Sequence, residues 1–108
     1  MDVQEQRVVP LAAAVPEDVA DAGVAPPADR VEALVAAGRP MLVTLVPDDP
    51  GSPEPDAGLL AAAAVYAWLG VRTLRVPETQ EAAVRQVVDM VASIRGTRPP
   101  ALTRRGLA

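Results

Sequence analysis

The chain has 108 residues, half of them hydrophobic, with one Trp, one Tyr, no Phe and a formal net charge of −4. That length predicts one domain, residues 1–96, followed by a basic Pro/Arg tail at 97–108, with a core of Ala, Val and Leu packed in thin layers. Lys, His and Cys do not occur, which excludes a Schiff base, a lysine clamp on phosphate, disulfides, the commonest zinc ligands and most nucleophile–base pairs; no metal, no cofactor and no catalytic residue is assigned.

At the start, MDVQEQRVVPLAAAV puts Asp2 and Glu5 where a signal peptide carries positive charge, and Pro10 interrupts the apolar stretch, so a cytoplasmic protein is expected. Val8–Val15 reads as a strand weakened by Pro10, and Pro16–Ala22 as a short helical turn closed by Gly23. A helix follows over Ala28–Ala37, with Pro26 and Pro27 before it and Gly38 as its stop. Met41–Val46, MLVTLV, is the strongest strand signal.

The turn-rich loop Pro47–Pro55 leads to a helix at Ala57–Leu69, with Asp56 as N-cap and Gly70 as its C-terminal stop. Its sequence, AGLLAAAAVYAWL, has no polar face, so it should be covered all round. The uncharged run 57–71 is shorter than the roughly twenty residues that cross a bilayer, and no membrane association is expected. Tyr66 and Trp68 stand about 200° apart on this helix and cannot share one core surface. Leu59, Leu60, Tyr66 and Trp68 are therefore candidate interface residues.

Arg72–Val76 alternates as a strand around Leu74. Glu78–Arg95 carries an apolar stripe of Val84, Val87, Val88, Val91 and Ile94, and Gly96 ends it. Short apolar runs separated by helices indicate an α/β fold: a short parallel sheet of about three strands joined by crossover helices.

Two places invite a chemical reading. Arg75, at a strand end beside the helix start at Glu78, could hold an anion with its guanidinium and the helix amides, or could simply pair with Glu78, Asp48 or Asp49. Asp48 and Asp49, with Glu54 and Asp56 nearby, resemble a hard-cation site, but DDPGSPEP is rich in turn formers and the turn reading weighs more. Residues 1–57 hold eleven acidic residues against three Arg, and residues 58–108 three against seven. Nucleic-acid binding by Arg95, Arg98, Arg104 and Arg105 is disfavoured by the acidic body and the lack of interleaved aromatics.

From Arg30 to Gly96 the order of features resembles the last two βα units of dihydropteroate synthase: LVAAGRPMLVTL, an Ala-rich helix ending AWLG, then VRTLRV and a final helix reading QVVDMVASIRG. The resemblance implies part of a TIM barrel. In the family, the strand resembling Met41–Val46 runs into a loop whose Lys holds the pterin, and here Asp48 stands in that place. The final strand of the family ends in an Arg-Val-His-Asp type motif. This chain reads Arg75-Val76-Pro77-Glu78, keeping the Arg and losing the His.

The earlier barrel segments that build the family's pterin pocket have no counterpart here. The expected function is accordingly a non-catalytic interaction or assembly module, a homo-oligomer or the partner of a full-length relative. The alternative is a folate-pathway protein that binds a pterin or another anionic small molecule, or a transferase, with a site of Arg75, Asp48 and Asp49 completed across subunits.

Overall fold

The structure, a computed structural model, describes residues 6–96; the tail at 97–108 lies outside the described residues. Four strands form one parallel sheet: β1 (Arg7–Pro10), β2 (Ala20–Val24), β3 (Met41–Thr44) and β4 (Thr73–Val76). The helices are α1 (Ala28–Ala36), α2 (Ala57–Leu69) and α3 (Glu81–Arg95), with a short 3-10 turn at Glu78–Gln80 leading into α3.

The strand order is β1-β4-β3-β2. The last three strands are sequential neighbours, and the first strand of the chain sits beside the last. In a closed barrel of sequential parallel strands, first and last are also neighbours. The sheet is thus an open arc with barrel-like adjacency, compatible with part of a TIM barrel.

Strand count and extent differ from the sequence expectation. The N-terminal strand stops at Pro10, where a turn begins, instead of reaching Val15. The segment read as a helical turn at Pro16–Ala22 instead enters β2 at Ala20. Its sequence, ADAGV, has no apolar run. What makes it a strand is the neighbouring β3, against which Ala20 and Asp21 pair in register with Met41 and Leu42.

Alternation divides the strand side chains between two faces. Leu74, Val76, Met41, Val43, Leu45, Val8 and Ala22 join the core with Val31 of α1, Leu59, Ala63, Tyr66 and Ala67 of α2, and Val84, Val88 and Val91 of α3. Leu42, Thr44, Thr73 and Arg75 point the other way. Leu42 is nonetheless only 1% exposed, because the connection from β1 to β2 crosses that face. Ala13 in this connection meets the side chain of Arg75.

Both sheet edges are blunted. On β1 the Arg7 N–H bonds inward to Arg72 O, so alternation turns Val8 and Pro10 outward. Pro10 has no N–H, its carbonyl accepts from Ala13 N–H, and the Val8 carbonyl accepts from Arg85 Nη2. On β2 a bulge shifts the register between Asp21 and Val24, and the Gly23 N–H is held by the Asp21 carboxylate. These are the usual ways of discouraging edge-to-edge pairing.

Candidate functional site

The C-terminal ends of β3 and β4 bring together what the sequence singled out, but not in the expected pairs. Arg75 lies among Thr44, Ala13 and Asp21. Its Nε donates to Thr44 Oγ1 at 3.1 Å, its Nη1 to the Ala13 carbonyl at 3.1 Å, and its Nη2 lies 3.7 Å from Asp21 Oδ2. Every nitrogen of the guanidinium is occupied, by three separate segments.

Asp48 and Asp49 are exposed in the loop beyond β3 and do not pair with Arg75. The Asp49 carboxylate accepts the Gly51 N–H at 3.2 Å and its carbonyl accepts the Ser52 N–H at 3.1 Å. This is turn chemistry. Among the described residues no group of three or more acidic side chains is arranged to hold a metal ion.

Pro77 opens the 3-10 turn, its carbonyl accepting the Gln80 N–H at 2.8 Å. Gln80 itself went unnoticed in the sequence. Its side chain is fully buried, with Oε1 accepting the Asp56 N–H at 2.9 Å and Nε2 donating to the Glu54 carbonyl at 2.9 Å. It welds the end of the acidic loop to the start of α3. An uncharged polar residue near a helix start carries no local signal for such a role, since its partners lie 24 and 26 residues away.

The four candidate interface residues separate. Leu59 and Tyr66 are buried within the chain and Leu60 is half-buried. The Tyr66 hydroxyl donates to the Pro26 carbonyl, and burial pushes its pKa above the ordinary value. Trp68 faces outward, 52% exposed, beside Val65 at 53%. Arg95 lies over the indole ring, 5.4 Å from its centroid, and donates from Nη1 to the Trp68 carbonyl at 2.7 Å.

On α3, Met90 and Ile94 are 61% and 68% exposed. Arg85 and Ile94 are nine residues apart and so stand on opposite sides of that helix. Because Arg85 reaches β1, Ile94 lies on the side of α2. Trp68, in turn, is on the side of α2 that Arg95 of α3 touches. The exposed apolar residues Val65 and Trp68 of α2 and Met90 and Ile94 of α3 thus lie on two helices that pack against each other.

These features can be set beside known proteins. An inactive dihydropteroate synthase 2 from Mycobacterium leprae is 47% identical over 86 residues, covering 73% of this chain and 29% of the relative. Those from Mycobacterium bovis and Mycobacterium tuberculosis are 57% identical over 51 residues, covering 47% of this chain and 15% of the relatives. The chain is dihydropteroate synthase-like over a partial span. It matches less than a third of the length of these relatives. No family model matches it, and no solved structure matches it significantly. Among the described residues no helix is long and apolar enough to cross a membrane.

Proposed function

We propose that this chain is a non-catalytic, dihydropteroate synthase-like assembly module that associates with a second copy of itself through the outer surface of α2 and α3. The supporting observation is the exposure of four large apolar side chains on these two packed helices, Val65, Trp68, Met90 and Ile94. A helix that is apolar all round wants cover on both sides, and among the described residues Val65 and Trp68 on one side of α2 stay exposed. The blunted edges of β1 and β2 make edge pairing a poorer route to association than this helical surface.

The absence of chemistry rests on the strand ends. Asp48 and Pro77 occupy positions where the resemblance leads one to expect Lys and His, and Arg75 is tied to Thr44, Ala13 and Asp21. The relatives' own name, inactive, agrees with this reading. A folate-pathway site built on Arg75 would first have to release the crossing segment from its guanidinium.

Light scattering from micromolar to sub-millimolar concentration tests the proposal. A dimer at twice the 11.2 kDa chain mass, converted to monomer by Trp68→Glu and by Val65→Asp, is expected. A folded monomer throughout the range would end the assembly reading. Pterin-dependent turnover by the purified protein would end the non-catalytic one.

A further inference from the structure

At the opposite end of the sheet from Arg75, a cavity of about 210 Å³ opens between the C-terminal ends of α1 and α2. It is lined by Val35, Gly38, Arg39, Pro40, Gly70 and Arg72. Arg39 and Pro40 lead into β3 and Arg72 leads into β4, so two short connections each place one arginine in the lining of the same hollow. Gly38 and Gly70 take positive φ, +77° and +107°, the left-handed closure that turns each chain sharply from helix towards strand. At Gly70 an added Cβ would lie 3.5 Å from Val35.

Among the described residues neither the Arg39 nor the Arg72 guanidinium has a hydrogen-bond or ion-pair partner. Arg75, Arg85 and Arg95, by contrast, each donate from the guanidinium to a carbonyl or hydroxyl. Among the described residues no carboxylate lines the hollow. Part of the explanation for two cations here is the negative end of each helix. Two helix C-termini, however, supply the equivalent of only about one negative charge between them. Two guanidinium charges exceed that, and the surplus is positive.

We infer that this cavity binds a compact phosphate-class dianion, either free phosphate or the phosphate monoester of a small molecule. A phosphate group can take a bidentate contact from each of the two guanidinium groups, whose planar forks suit its oxygens. Val35 and Pro40 give the hollow an apolar wall for the body of an ester. The volume is below the ~300 Å³ at which pockets for larger organic ligands begin, which limits the ligand to a small one. Val65, Trp68, Met90 and Ile94 are not among the residues that line the site, so the inference does not rest on association of the chain.

The test is a nuclear magnetic resonance titration of the full chain with inorganic phosphate and with phenyl phosphate, each at constant ionic strength against chloride. Saturable shifts in the amides of Gly38, Arg39, Gly70 and Arg72 are expected. Arg39→Gln and Arg72→Gln should each weaken binding roughly tenfold or more, as loss of a charge-assisted contact implies, while Arg30→Gln, an equal change of charge on an exposed part of α1, should not. Lowering the pH below about 6, where a phosphate monoester takes up its second proton, should weaken binding as well. Circular dichroism and the melting transition confirm that each variant is folded. Absence of saturation, equal shifts with chloride, or unchanged binding in both cavity variants would overturn the inference, and equal affinity for malonate would overturn the phosphate assignment.

Discussion

The Arg75 guanidinium and the Ala13 carbonyl, 62 positions apart in the chain, meet at 3.1 Å across the helix-free face of the sheet. Through this bond, and those to Thr44 and Asp21, one side chain ties the β1–β2 connection, β3, β4 and β2 together. A barrel would bury this face with further strands. Here a nine-residue connection and one arginine substitute for them.

Arg75→Ala should therefore lower stability by about 2 kcal/mol, in the range for hydrogen bonds to a charged group. The Asp21 contact adds little, because it is long and its carboxylate is 45% exposed. Arg75→Lys keeps the charge but not the fork, and should recover less than half of the loss. Urea unfolding measures both. An Arg75→Ala protein as stable as the parent would mean that the guanidinium is free for other work.

Gln80→Leu should cost more. It leaves the Asp56 N–H and the Glu54 carbonyl without their partner, at roughly 1–3 kcal/mol for each buried group. Gln80→Glu is more informative. Burial raises the pKa of a carboxyl group, so the variant tolerates acid, where the protonated group still donates to Glu54, and loses stability as pH rises above the unfolded value of about 4.3. Denaturation at a series of pH values should show that slope in the variant and not in the parent.

The elements with strong local signals were legible in the sequence. Ala57–Leu69, with Asp56 before it and Gly70 after it, stands as read, because capping and left-handed closure are written in neighbouring residues. Tyr66 and Trp68 do point to different sides. β2 was not legible, since ADAGV is made a strand by its neighbour and by a bulge. The sequence also placed Arg75 at a strand end but suggested Glu78, Asp48 or Asp49 as its partners. Its actual partners come from segments 31 to 62 positions distant, a relationship set by topology and invisible to local pattern. Arg39 and Arg72 carried no signal for the same reason: only the fold brings the ends of two connections to one hollow.

Asp56→Ala should cost about 1 kcal/mol, the usual worth of a helix N-cap, because its carboxylate accepts the Leu59 N–H at 2.8 Å. Its backbone N–H keeps the bond to Gln80, which limits the damage. For a domain of this size the melting temperature should fall by roughly 4–8 °C. Asp56→Asn, which also caps, should fall by much less. Equal losses in the two variants would point to charge, not capping, as the source of the stabilisation.

Tyr66 supplies an alkaline prediction. It is the chain's single tyrosine, and Lys and Cys are absent, so no other side chain titrates between about pH 8 and 12. Burial raises its folded pKa above 10.0. Between that value and the folded pKa the unfolded chain has lost a proton that the folded chain retains, so stability falls as pH rises through this window and is undiminished below it. Tyrosinate absorbance should appear in the native protein only above the pH at which it appears in urea. Tyr66→Phe removes the bond to the Pro26 carbonyl, at about 0.5–1.5 kcal/mol near neutral pH, and should abolish the alkaline loss. A native titration coincident with the denatured one would show that the hydroxyl is open to solvent.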